Sequence, residues 1–130
     1  MRKSVVGMFV AVCALAVAFA VNVSAAGKTE TFTGTLVDSK CYLMNHALTT
    51  NDHGDTKNCG TICLKGGTPG ALLTKEKKFY ALLAPSLALA PYVGQELRVS
   101  GELVNGSIDV SKAEVKQNGN WQEIKLGATI

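Results

Sequence analysis

The chain has 130 residues, with thirteen Lys and Arg against ten Asp and Glu. Two of those cations, Arg2 and Lys3, precede the first apolar run, and without them the balance is eleven basic to ten acidic side chains. Near-neutrality argues against capture of nucleic acid or anionic membrane, which needs clustered cations, and the roughly hundred residues beyond that run suffice for one domain with one core.

Arg2 and Lys3, the apolar run 5–21 and the small residues Val23-Ser24-Ala25-Ala26 follow the charge, apolar core and small-residue order of a secretory signal. Residues 1–26 are therefore expected to be a signal peptide, cleaved after Ala25 or Ala26, and 27–130 a single domain exported to the periplasm or the extracellular space. Retention of the run as a membrane anchor is the competing reading. Its many alanines and the lack of a stop-transfer flank favour cleavage, so no stable membrane insertion is expected afterwards. Cys13 lacks the Leu and Gly/Ala spacing of a lipoprotein cleavage site. Its removal leaves three of the four cysteines, and an odd number cannot all pair within one chain in an oxidising compartment.

Residues 31–38, rich in β-branched side chains, predict a strand interrupted at Gly34 by a bulge or bend. The polar stretch 39–70, with Gly54, Gly60, Gly66, Gly67 and Pro69, is too long for an ordinary connection. Its cysteines and histidines predict ordering by a cross-link or a metal. Within it, 41–48 and 58–65 are candidate helical turns, the second capped by Asn58. Apolar runs at 71–74 and 79–83 flank the charged turn Lys75-Glu76-Lys77-Lys78 and predict a hairpin. A short helix is expected from Pro85 to Ala90, ended by Pro91 and closed at Gly94. Leu97, Val99, Gly101 and Leu103 then alternate with Glu96, Arg98, Ser100 and Glu102 in the clearest strand. Asn105-Gly106 is a strong hairpin signal. Residues 107–115 resume the alternation, and Asn118-Gly119 turns toward an optional further strand at 121–126.

This order is mainly β and resembles the OB-fold, a five-stranded Greek-key barrel with a helix between strands 3 and 4. The likeness is carried by Gly34-Thr35-Leu36-Val37-Asp38 in the first strand and by Val93-Gly94-Gln95-Glu96-Leu97-Arg98-Val99-Ser100-Gly101 around the fourth, and it covers nearly all of 27–130. The chain is also similar to an uncharacterised family of small exported bacterial proteins, through Asp38-Ser39-Lys40-Cys41-Tyr42, the Cys-x3-Cys from Cys59 to Cys63, and Gly66-Gly67-Thr68-Pro69. That likeness implies no activity. OB-folds that bind single-stranded nucleic acid stack bases on aromatic side chains in a cationic groove. Phe32, Phe79, Tyr80 and Trp121 are the strand aromatics here, Phe32 or Phe79 reads as core, and no nucleic-acid partner is expected.

Cys41, His46, His53, Cys59 and Cys63 all lie within one stretch of 23 residues. Thiolate and imidazole are preferred donors for Zn and Cu, and four of them close a tetrahedral shell. Cys41, His53, Cys59 and Cys63 form C-x11-H-x5-C-x3-C, with Cys59 and Cys63 on one face if helical. His46 is the competing imidazole, and Met44 offers a thioether to Cu(I). The spacing matches no familiar zinc finger.

The alternative is a disulfide from Cys41 to Cys59 or Cys63, closing about twenty residues for about 3 kcal/mol and leaving one thiol unpaired. A Cys59 to Cys63 bridge demands tighter geometry. His53, flanked by Asp52 and Asp55, has a carboxylate at hand to orient its second nitrogen. Asp38 faces the loop as a support for a ligand or as a cap. Tyr42 and Trp121 read as packing residues, and Gly66-Gly67 as a turn. Two readings of function therefore stand: an exported module binding Zn or Cu, or a disulfide-stapled barrel without metal, serving as a structural protein or as an interaction module for an extracytoplasmic protein. A thiol enzyme using Cys59 or Cys63 with a histidine base is the weakest, because no Cys-x2-Cys motif, Ser-His-Asp order or carboxylate pair supports it.

Overall fold

A computed structural model describes residues 27–127; the expected leader 1–26 lies outside the described residues. Strand β1 (Thr29–Asp38) buries Leu36, Val37 and Asp38 at its C-terminal end. It pairs antiparallel on one side with β2 (Gly70–Leu73) and on the other with β4 (Glu96–Val104). β2 continues into β3 (Phe79–Leu83), and β4 into β5 (Ser107–Gln117). Parallel pairing of Ala81, Leu82 and Leu83 with Ser107, Ile108 and Asp109 then joins β3 to β5 and closes a five-stranded barrel. This is the OB-fold-like architecture expected from the sequence. β6 (Asn120–Ile124) pairs with the free edge of β5 and buries Ile124.

The interior is aliphatic. Leu36, Leu72, Leu82, Leu97, Val99, Ile108 and Val115 point inward from the strands, as the period of two along a half-buried strand dictates. The helical segment between β3 and β4 is α3 (Ser86–Leu89) followed by a 3-10 turn (Ala90–Tyr92), and it adds Leu89 and Ala90 to the same core. Both hairpins at Asn-Gly use positive φ at each central residue, 49° and 80° at Asn105 and Gly106 and 51° and 77° at Asn118 and Gly119. That combination matches the right-handed twist of the flanking strands.

Of the bulge or bend expected at Gly34, the bulge is not there. β1 keeps continuous register with β4 from Thr29 opposite Glu102 to Thr35 opposite Glu96. Gly34 is instead a close approach: the Leu73 carbonyl oxygen occupies the space a Cβ would need. The irregularity lies in β5, where Ser100 faces Lys112 and Gly101 faces Val110, so that Ser111 is the extra residue. Its hydroxyl donates back to the Ser100 carbonyl at 3.0 Å.

The long segment between β1 and β2 holds two short helices, α1 (Ser39–Met44) and α2 (Cys59–Lys65). α1 starts earlier and ends sooner than the sequence predicts, since Asp38 caps it at once and Asn45 leaves it in an extended conformation. Among the described residues no helix is long and apolar enough to cross a membrane.

Candidate metal centre

Asp38 ends β1 and begins the site. Its Oδ1 accepts from the amides of Lys40 at 2.9 Å and Cys41 at 3.4 Å, satisfying donors that a helix N-terminus leaves unpaired. Cys41 is thereby fixed in the first turn of α1, directly after the barrel's first strand. Tyr42, the next residue, packs with Val37, Ala71 and Leu73 in a second small core and stacks on Phe79 at 5.5 Å.

α2 carries the other two cysteines and is anchored from its opposite side. Gly60 and Leu64, four residues apart, are its buried positions. Leu64 enters the barrel core, while Gly60 lies so close to Val93 that a Cβ there would come within 2.5 Å of Val93 Cγ1. The expected cap, Asn58, adopts φ 54° and makes no side-chain bond to the helix amides. Asn51 does that work instead. Its Oδ1 accepts from the Thr61 amide at 2.8 Å and its carbonyl from the Gly60 amide at 3.0 Å. Asn58 is held in its left-handed conformation by its own amide, which donates to Asp52 Oδ1 at 2.8 Å.

With both helices so placed, the sulfurs of Cys41, Cys59 and Cys63 all lie within 4.8 Å of one another. All three are free, half-buried thiols. Three donors in that space can hold a metal ion: a tetrahedral shell with metal–sulfur bonds of about 2.3 Å needs sulfurs about 3.8 Å apart, a contraction of about 1 Å that side-chain rotation supplies.

The remaining sequence candidates do not join this cluster. The His53 ring sits in its own loop, with Nε2 2.9 Å from the Thr50 carbonyl and the backbone bridged to Thr56. A carbonyl only accepts, so Nε2 carries the proton and Nδ1 is left buried without a partner. Of the two flanking carboxylates, Asp52 is engaged by Lys57 and the Asn58 amide. His46 is exposed and stacks on Tyr42 at 4.9 Å. Met44 is 78% exposed at the end of α1.

Two of the thiols are held firmly protonated. Desolvation, followed by the Asp38 carboxylate, pushes Cys41 up to about 11, and the Asp38 carboxylate, followed by desolvation, pushes Cys63 up to about 12. A catalytic thiol needs the reverse, a cationic neighbour that favours thiolate, so the environment of Cys41 and Cys63 suits a site whose protons leave when a cation arrives. The importance of Asp38 was half legible, as a polar residue ending an apolar strand ahead of a cysteine. That of Asn51 was not, because it caps a helix ten residues away.

Fold and site together define an OB-fold-like barrel with a three-thiol corner built on the connection after its first strand. Comparison with protein-family models, curated proteins and solved structures yields no match for the chain.

Proposed function

We propose that the protein is an exported binding module for a thiophilic transition metal, Zn(II) or Cu(I), held by Cys41, Cys59 and Cys63. The observation that carries this reading is the convergence of three thiols from two separate helices to within 4.8 Å, at a place where the barrel core does not depend on them. Thiolates are the ligands that soft and borderline ions select. The export address rests on the order of charge, apolar run and small residues in 1–26. In this reading metal binding also orders the loop: it ties α1 to α2 and so closes the chain between them.

Native mass spectrometry of protein recovered from the export compartment without chelator tests this. One bound Zn or Cu, together with three alkylatable thiols after unfolding, supports the reading. A metal-free mass lower by two hydrogens, with one alkylatable thiol, overturns it in favour of a Cys41 disulfide to Cys59 or Cys63 and a barrel whose partner is another extracytoplasmic protein.

A further inference from the structure

Asp38 is the one buried charged side chain among the described residues. No Lys or Arg pairs with it there. Its Oδ1 serves the α1 amides, but Oδ2 is buried and has no hydrogen-bond partner. Leaving such an oxygen unsatisfied is costly, the more so for a charged group. The same carboxylate raises the thiols of both Cys41 and Cys63, yet it stands outside the cluster whose ligand atoms all lie within 4.8 Å of one another, so to ligate an ion it must close in together with the sulfurs. Beside S–H groups the carboxylate meets no second negative charge. Once the sulfurs have given their protons to solvent and bonded a cation, an uncoordinated carboxylate at that place would face two thiolates in a desolvated corner and repel both. It is stable there if the cation is shared with it.

We propose that Asp38 Oδ2 is the fourth ligand of the site, completing a Cys3Asp shell that selects a divalent, Zn(II)-like ion over Cu(I). This rests on the metal-binding reading above and goes beyond it. Zn(II) takes four ligands and accepts carboxylate oxygen alongside thiolate at about 2.0–2.2 Å. Cu(I) is drawn by sulfur and gains little from a hard oxygen. A dipositive ion also offsets more of the negative charge that three thiolates and a carboxylate bring together. Asp38 thus has two oxygens with two duties, one holding the helix that presents Cys41 and the other completing the shell.

The experiment is competition against chromophoric chelators for Zn(II) and, separately, for Cu(I) under reducing conditions, using the native protein and Asp38→Asn. Asparagine keeps an Oδ1 that can cap α1 and replaces the ligating oxygen with an amide nitrogen. The expected result is a fall in Zn(II) affinity of at least about 100-fold, the upper end of what loss of a merely supporting partner produces, with Cu(I) affinity changed by no more than a few-fold. Asp38→Cys, its fold checked by circular dichroism, adds an independent readout. Its Cd(II) complex should gain thiolate-to-metal absorbance in proportion to a fourth sulfur.

Equal losses for both ions in Asp38→Asn would mean that Asp38 acts only through α1, and would overturn the proposal. So would wild-type Zn(II) affinity in that variant, or three-thiolate absorbance in Asp38→Cys. Absence of any metal affinity in the native protein is a different result, which removes the metal-binding reading itself and this inference with it.

Discussion

Leu64→Ala isolates the contact that turns a surface loop into a site. Leu64 is wholly buried in the barrel core, and its Cδ2 lies 3.5 Å from where a Cβ on Gly70 would stand, so α2 is pinned against the start of β2. Truncating a leucine so enclosed removes its transfer free energy and leaves a cavity, a loss of about 3 kcal/mol. Against a total of about 5–15 kcal/mol for a domain that is a large fraction, equivalent to a melting temperature lower by roughly 12 to 24 °C.

Urea unfolding followed through the single tryptophan, Trp121, is a suitable assay. That ring lies 4.5 Å from the Arg98 guanidinium on the barrel wall and reports on the fold rather than on the loop. Ile62→Ala on the same helix is the control. Ile62 is 60% exposed, and its loss should cost no more than about 0.5 kcal/mol. A Leu64→Ala penalty as small as the control's would show that α2 is a flap lying on the barrel, and the account of how Cys59 and Cys63 are positioned would fail.

Three further outcomes follow from the charge environment. Cys41 and Cys63, raised from 9.0 to about 11 and about 12, carry at least about 100-fold less thiolate near neutrality than ordinary thiols, so in metal-free protein iodoacetamide should label both much more slowly than it does after unfolding. Their raised values also stabilise the metal-free fold. That contribution is complete below pH 9 and is lost as pH rises through 9 toward 12, because the unfolded thiols ionise first; Cys→Ser variants at 41 and 63 should flatten the alkaline limb of a urea-midpoint profile. Glu114 behaves in the opposite sense. The Arg98 hydrogen bond at 2.8 Å, then that from Lys112, hold its carboxyl at about 2 instead of 4.5. Its stabilisation is present above pH 4.5 and disappears as pH falls toward 2, and Glu114→Gln should remove that part of the acid dependence; an unchanged acid limb would show that the pair contributes nothing.

The strands and hairpins were legible because each is specified by neighbours in sequence. Asn105-Gly106 and Asn118-Gly119 demand turns whichever barrel they serve, and the alternation around Leu97 and Val99 names its own buried face. Even the bulge left a trace. Ile108 and Val110 share one parity of the numbering while Ala113 and Val115 share the other, a slip of one that is the signature of an extra residue. The more conspicuous Gly34 drew the expectation of a bulge because a strand glycine signals either a bulge or a close approach, and only the position of Leu73 decides between them. Barrel closure rests on three parallel residue pairs between β3 and β5, for which no local pattern exists.

The same divide explains the site. That three cysteines belonged together could be read from their confinement to one loop, but His53 could not be excluded that way, since the direction of its ring is set by the Thr50 carbonyl three residues back. What brings the sulfurs together is the two anchors of the loop. Cys41 moves with β1 through Asp38, whereas Cys59 and Cys63 move with the core through Leu64 and with the 3-10 turn through Thr61, whose hydroxyl lies 2.9 Å from the Ala90 carbonyl. The segment from Asn45 to Asn58 between these anchors contributes none of the clustered sulfurs, but it supplies Asn51, the cap that holds the start of α2. Changes in the exposed part of that segment should therefore leave metal affinity intact, and changes at Asn51 or Leu64 should weaken it without touching a sulfur.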